Sequence, residues 1–100
     1  MNKHTGSSFD DFLREEGIFE EVRAATLKRM VARLLAEGMS RKGLTKPEMA
    51  RRMGTSRSQL DRVLDPSYVT IQLDTLMKAA HAVGQTVQIL FEPLPTRSRS

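Results

Sequence analysis

A pair of short helix signals lies in the middle of this 100-residue chain. Thr45 is followed three residues later by Glu48, and Ser56 by Gln59, and each pair has the composition of a capping box, which marks the start of a helix. Gly54 lies between the two signals, where a tight turn needs a residue that tolerates a positive φ. These local features predict two helices of about two turns each, at residues 45–53 and 56–64, joined by a glycine turn.

The spacing of small and apolar residues indicates how these two helices pack. Ala50 provides the small side chain that a close helix crossing needs, and Gly54 and Leu60 follow it after four and six residues. The residues predicted to face inward are apolar: Met49, Met53, Leu60, Val63 and Leu64. This pattern is typical of DNA-binding helix-turn-helix units, and an ordinary helical hairpin with a glycine turn is the alternative.

The charges are divided unevenly along the chain. Residues 22–64 carry eleven lysines and arginines against three acidic residues, a net charge of +8, whereas residues 1–21 have a net charge of −4. A basic middle segment is the expected footprint of a polyanion such as DNA. Because a solvated helix face would give the same counts, the charge identifies a region without deciding its function.

Composition argues against several other classes of protein. The chain has no cysteine, and His4 and His81 are far apart without metal-ligand spacing, so we expect no zinc finger, no thiol chemistry and no cofactor. No carboxylate lies beside a histidine in the sequence, which argues against an enzyme. No apolar run approaches the roughly 18 residues of a membrane span, and the first twenty residues are unlike a signal peptide. We therefore expect a cytoplasmic protein with no membrane segment.

Three further helices and one strand are predicted around the central pair. Apolar spacing indicates a short helix over residues 8–18, which Gly17 ends, and a longer helix over residues 19–42. Another helix is predicted from Leu73 to about Val83, and alternation over residues 86–91 predicts a half-buried strand. The predicted apolar faces of the two longer helices consist of Val22, Leu27, Met30, Val31, Leu34 and Leu35, and of Leu73, Leu76, Met77, Ala80 and Val83.

Two stretches of the chain resemble a known family. Residues 44–64, together with the helices on either side, resemble the helix-turn-helix domain of phage repressor and Cro-type (Xre) regulators. Residues 49–66 (MARRMGTSRSQLDRVLDP) and 6–18 (GSSFDDFLREEGI) are similar to an antitoxin-like subgroup related to the host-inhibition-of-growth antitoxins. The resemblance implies a small repressor-like fold that binds double-stranded DNA.

The predicted fold is accordingly all-α: a five-helix, repressor-like helix-turn-helix domain with one C-terminal β-strand that pairs across a dimer. The predicted organisation is a disordered N-terminus at 1–7, an acidic helical segment at 8–18, the helix-turn-helix DNA-binding domain at 19–84, a dimerisation strand at 85–92 and a basic disordered tail at 93–100.

The resemblance also implies which side chains contact the bases. In this family the second helix of the motif lies in the major groove, which implies base contacts from Arg57, Ser58 and Arg62. Arginine is suited to this task because its guanidinium binds guanine through two hydrogen bonds. Gln59 either caps the helix or contacts adenine, and Asp61 is expected to pair with Arg57 or Arg62 because its charge is unfavourable beside phosphate.

Contacts to the DNA backbone are expected from the start of the first motif helix and from its neighbours. Lys46 matches the family position that grips the backbone, and Ser56 can offer hydrogen-bond donors at a helix N-terminus. Arg51 and Arg52 are adjacent and point about 100° apart on a helix, so only one of them is expected to reach a phosphate. Thr55 is a further candidate.

The acidic N-terminal segment has two interpretations. Residues 1–21 contain six of the twelve acidic residues and three of the four phenylalanines, namely Phe9, Phe12 and Phe19. The segment either packs on the long helix and completes a small core, or forms an acidic, aromatic docking arm for a basic protein. A small basic toxin, which the antitoxin resemblance implies, would be electrostatically matched to such an arm.

The predicted C-terminal strand suggests a dimer. A single strand in an otherwise helical chain has no ladder partner, so its amides would be unsatisfied. Antiparallel pairing of two copies about a two-fold axis would satisfy them and cover Val87, Ile89 and Phe91, and pairing with the N-terminal segment is the alternative. A homodimer of this kind would bind a pseudo-palindromic operator.

These features predict a sequence-specific DNA-binding transcriptional regulator. The specific hypothesis is a repressor that is the antitoxin of a type II toxin-antitoxin pair and that autoregulates its operon. The alternative is a stand-alone transcriptional regulator with no toxin partner, since both proteins would bind DNA through the same helices.

Overall fold

The computed structural model describes residues 3–94, with side-chain environments for residues 11–12 and 14–94. This part of the chain forms four helices: α1 (Lys3–Lys42), α2 (Lys46–Met53), α3 (Arg57–Leu64) and α4 (Leu73–Ala82). Residues 85–94, which follow α4, have no regular secondary structure. The all-α class is confirmed for the described residues, which form four helices where five were predicted, and the C-terminal strand that was predicted to pair across a dimer is not shown there.

Helix α1 is continuous where two helices were expected. Gly17 lies inside it and does not end a helix, because a glycine in a helix interior costs only about 0.5–1 kcal/mol relative to alanine. Glutamates, which favour helix, flank it on both sides. Apart from the backbone of the helix itself, no atom of the described residues lies within 4 Å of the position of a Cβ at Gly17, so no described packing partner bends the chain there. α1 begins at Lys3 and therefore includes part of the segment 1–7 that was expected to be disordered.

The helices enclose one hydrophobic core. α2 packs against α3 and α4, while α1 packs against α3. Met49 and Leu60 are completely buried, so the inward-facing residues of the helix-turn-helix pair are as predicted, with Leu64 half-buried at the edge. The core cluster consists of Leu35, Met39, Met49, Ala50, Met53, Leu60, Val63, Ala79, Ala82 and Val83.

The predicted apolar face of α1 is largely wrong, and that of α4 is partly right, since Ala80 and Val83 are buried and Leu76 is half-buried. On α1, the exposed side chains include Val22, Leu27, Met30 and Leu34, while Ala32, Leu35 and Met39 are buried. On α4, Leu73 and Met77 are exposed, and the buried residues are Thr75, Ala79, Ala80 and Ala82. Apolar spacing defines more than one stripe on each helix, and the neighbouring helices decide which stripe is buried. Both helices consequently leave apolar side chains uncovered.

Gly38 allows the end of α1 and the end of α4 to approach each other, and Gly43 ends α1. A Cβ at Gly38 would lie 2.8 Å from both Cβ and Cγ2 of Val83, closer than van der Waals contact permits. Gly43 has φ = 64°, and the amide of Leu44 donates a hydrogen bond to the carbonyl of Met39 (2.9 Å). The predicted end of the long helix at Lys42, followed by a glycine cap, is thereby confirmed.

The segment after α4 runs back along α1. Val87 and Gln88 line one groove with Leu34, and residues 92–94 line another with Phe19 and Glu20. The segment is therefore antiparallel to α1. It forms no ladder within the described part of the chain, and a strand needs a hydrogen-bonded neighbour that these helices do not offer. Most of the tail predicted at 93–100 lies outside the described residues.

Candidate nucleic-acid interface

Reciprocal hydrogen bonds hold the N-terminus of α2. The amide of Glu48 donates to the hydroxyl of Thr45 (3.3 Å), and the amide of Thr45 donates to the Glu48 carboxylate (2.9 Å). The Thr45 hydroxyl also donates to this carboxylate (3.2 Å). The bond from the Thr45 amide and then that from its hydroxyl hold the pKa of Glu48 below its ordinary value, and Arg51 and Arg52 act in the same direction. The predicted capping box at Thr45 is confirmed, and it fixes Lys46 as the first residue of α2.

The turn and the start of α3 follow the predicted pattern with one difference. Gly54 has φ = 68°, and its amide donates to the carbonyl of Arg51 (3.1 Å). The hydroxyl of Ser56 accepts from the amide of Gln59 (3.1 Å) and so caps α3. The Gln59 side chain does not complete a second capping box: its oxygen accepts from the guanidinium of Arg62 (3.4 Å).

Helix α3 has a buried side and an exposed side. Leu60 and Val63 are buried against the other helices. Arg57, Ser58 and Arg62, which were predicted to contact bases, are all exposed. The arrangement leaves the polar side of α3 open to a partner.

Three charged side chains meet beside the N-terminus of α3. The ammonium of Lys46 lies 3.4 Å from a carboxylate oxygen of Asp61, and Nε of Arg57 lies 3.6 Å from the same oxygen. All three side chains are about half exposed, so this cluster is weakly held and easily rearranged. The expected pairing of Asp61 with Arg57 is confirmed, and Lys46 joins it. A candidate backbone residue and a candidate base residue thus lie side by side.

Arg62 lies one turn further along α3, next to the following loop. Its guanidinium carbon is 5.9 Å from the centre of the Tyr68 ring, which is within the range of a cation–π contact. Tyr68 is itself exposed. Arg62 is therefore held by Gln59 on one side and by Tyr68 on the other, away from the cluster formed by Lys46, Arg57 and Asp61.

The two adjacent arginines of α2 have different surroundings. The guanidinium of Arg52 donates to the carbonyl of Ala82 at the C-terminal end of α4 (3.2 Å), where a cation also complements the helix dipole. Arg51 is exposed, and Thr55 is half-buried in the turn. Of the two arginines, Arg51 is the one whose side chain is not engaged with α4.

Sequence reasoning missed a buried lysine. Lys28 on α1 is only 2% exposed, and its ammonium donates to the carbonyls of Arg62, Asp65 and Tyr68 around the end of α3. Burial lowers its pKa, and the nearby Asp65 carboxylate partly offsets the effect. The signal that could have revealed it is spacing, because Lys28 shares a helical stripe with the buried residues Ala32, Leu35 and Met39.

The residues expected to form a dimer strand lie along the segment after α4. Val87 is half-buried beside α1, whereas Ile89 and Phe91 are 60% and 92% exposed. With Leu90 between them, they form a contiguous exposed apolar run, which marks a candidate contact surface.

A family model described as a helix-turn-helix domain matches residues 11–92. The chain belongs to this helix-turn-helix family. Such a domain indicates DNA binding, and families of this kind are typically non-enzymatic. Searches among curated proteins and among solved structures give no significant match.

The described residues offer neither a metal-binding cluster nor a membrane-spanning helix. No group of three or more histidine, aspartate or glutamate side chains is arranged to hold a metal ion in that part of the chain. Among the described helices, none combines the length and the apolar character needed to cross a membrane.

Proposed function

We propose that the protein is a sequence-specific DNA-binding repressor that places α3 in the major groove. The observation that carries the proposal is the exposed, basic side of α3, held by two capped helix starts above a buried core. Arg57, Ser58 and Arg62 are the proposed base contacts. Lys46, Arg51 and Ser56 are the proposed backbone contacts, with Thr55 beside them, and Arg52 has a smaller part because α4 engages its guanidinium.

The cluster around Asp61 supports a division of roles. In the free protein the Asp61 carboxylate is shared by Lys46 and Arg57. A phosphate can replace the carboxylate beside Lys46, which would leave Arg57 free to turn toward a base edge. Loss of Arg57 should therefore reduce sequence preference, whereas loss of Lys46 should weaken binding to all sequences about equally.

The test is binding to duplexes enriched from a random pool by the wild-type protein, compared with random duplexes over a range of salt concentrations. Affinity should fall steeply as salt rises because bound counterions are released. Arg57→Ala and Lys46→Ala are compared with Arg14→Ala, which removes the same charge from the N-terminal half of α1. The proposal fails if the wild-type protein enriches no sequence at low salt. Arg57 is not a base contact if Arg57→Ala loses the same factor of affinity for the enriched duplexes as for the random ones.

We further propose a homodimer that binds a pseudo-palindromic operator. The exposed side chains of Ile89 and Phe91 and the open backbone of residues 86–91 support antiparallel pairing of two copies. Half-sites would then lie roughly 10 base pairs apart, one helical turn of DNA. Ile89→Pro, which removes a ladder donor, should sediment as a monomer with its helix content retained. A dimeric Ile89→Pro protein would exclude this interface and would favour α1.

The antitoxin role is the proposed biological setting. The proposal is supported by the surface of the N-terminal half of α1, where exposed apolar side chains lie among acidic ones. The apolar residues are Phe12, Ile18, Phe19 and Val22, and the acidic residues are Asp11, Glu16, Glu20 and Glu21. Such a surface is complementary to a small basic toxin. The test is co-purification with the product of the adjacent gene, with Glu20→Lys/Glu21→Lys as the disrupting variant. If no basic neighbour binds, the stand-alone regulator is the better description.

A further inference from the structure

The contacts of Lys28 join the middle of α1 to the end of α3. Its ammonium donates hydrogen bonds of 3.0 Å to Arg62, 2.7 Å to Asp65 and 2.5 Å to Tyr68, in each case to the backbone carbonyl. An ammonium has three N–H donors, and all three are used. The side chain therefore fastens one end of α3 and the loop that follows it to a single point on α1.

The location of these acceptors explains why a lysine is tolerated there. The last carbonyls of a helix have no partners within the helix, and they carry the negative end of its dipole. Lys28 supplies donors and a positive charge at that end of α3. Burial lowers the pKa of Lys28, and the nearby Asp65 carboxylate offsets only part of that effect.

Lys28 also influences the position of the Arg62 side chain, because both residues contact Tyr68. The Tyr68 ring centre is 5.9 Å from the Lys28 ammonium and 5.9 Å from the Arg62 guanidinium carbon. Holding the Tyr68 backbone in place thus holds the ring against which Arg62 lies. A proposed base contact depends in this way on a residue of another helix.

We propose that Lys28 is a positioning residue for the recognition helix, which sets the tilt of α3 and the direction of Arg62 without touching DNA. The inference rests on the proposed function, since the pose of α3 matters only if α3 enters a groove. Ser56 caps the N-terminal end of α3, and Lys28 secures the C-terminal end. An eight-residue helix fixed at both ends can present arginines with the precision that two-bond contacts to a base require.

The experiment compares Lys28→Met with Lys78→Met. Both variants lose one positive charge, and Lys78 is exposed on α4. The probes are a duplex of about 20 base pairs enriched by the wild-type protein and a random duplex of the same length. Lys28→Met should lose about tenfold or more of its affinity for the enriched duplex and far less for the random one.

The slope of log affinity against log salt provides a second readout. It should be unchanged in Lys28→Met, because a buried lysine that contacts no phosphate releases no counterions. Lys78→Met should keep the wild-type ratio of the affinity for the enriched duplex to the affinity for the random duplex. The positioning role is refuted if Lys28→Met folds and keeps that ratio, or if its salt slope falls as it would for a lost phosphate contact.

If Lys28→Met does not fold, NMR of the wild-type protein tests the positioning role instead. The ¹⁵N-labelled ammonium of Lys28 should exchange its protons more slowly than the exposed lysine side chains, both in the free protein and with the enriched duplex. Fast exchange in a protein that binds the enriched duplex refutes the positioning role alone. A protected ammonium in a protein that binds no duplex refutes the proposed function, and the positioning role fails with it.

Discussion

Replacing Gly38 with alanine tests the close contact between α1 and the end of α4. The new Cβ would lie 2.8 Å from two atoms of Val83, a side chain that is 2% exposed and has little room to move. Alanine gains about 1 kcal/mol over glycine in helix propensity, whereas overpacking a core costs about 1–3 kcal/mol. We expect the free energy of unfolding to fall by about 1 kcal/mol, which lowers the Tm by roughly 4–8 °C in a domain of this size.

The matched control is Gly17→Ala in the same helix. Its Cβ meets no described atom outside the helix's own backbone within 4 Å, so the substitution changes helix propensity without adding a clash and should not lower the Tm. Thermal and urea unfolding, both followed by circular dichroism, give the two stabilities. Adding Val83→Ala to Gly38→Ala removes the contacts to Cγ2 (2.8 Å) and Cγ1 (3.2 Å) and leaves only that to Cβ, so the combined loss should be smaller than the sum of the separate losses. A Gly38→Ala protein at least as stable as the wild type in both assays would refute the packing argument.

Three further predictions concern the DNA-binding unit. Asp61→Asn should strengthen binding to any duplex and steepen its salt dependence, because it frees Lys46 and Arg57 from a carboxylate that repels phosphate; anisotropy titrations that show unchanged or weaker binding would contradict this. Leu60→Ala should lower the free energy of unfolding by about 2–5 kcal/mol, measured in urea, because its side chain is completely buried, and a smaller loss would place Leu60 outside the core. The pKa of Glu48 is lowered in the folded protein, so its contribution to stability is complete above its ordinary pKa and is lost as the pH falls through the lowered value; Glu48→Gln should give a shallower fall of Tm on acidification, and parallel profiles would refute the role of the capping box.

The helix-turn-helix pair was predictable because its signals act within a few residues. Thr45 and Ser56 cap the helices that follow them, and Gly54 adopts the left-handed conformation that ends the first of them. Met49 and Leu60 are buried as their spacing indicated. Each of these outcomes depends on hydrogen bonds and steric limits close along the chain, so no knowledge of distant residues was needed.

The candidate site could be predicted only in part, because local signals do not show which distant side chains meet. The exposure of Arg57, Ser58 and Arg62 follows from the buried positions on α3. Their partners do not follow, because Lys46 meets Asp61 across fifteen residues of chain and Arg52 meets the Ala82 carbonyl across thirty. Such contacts exist only once the helices have packed.

The length of α1, the buried face of α4 and the role of Lys28 were settled by tertiary structure. Gly17 was expected to end a helix, yet a single glycine costs too little to do so unless a neighbouring element redirects the chain. Leu73 and Met77 are exposed because the close approach of α4 to its neighbours favours small residues on the buried side. Lys28 is buried because the carbonyls at the end of α3, thirty-four or more residues away in sequence, come together around its ammonium. Local hydrogen bonding fixes a helix end where a cap is present, as at Thr45 and Ser56, whereas the continuity of α1 through Gly17 and the choice of buried face depend on which surfaces meet in the folded chain.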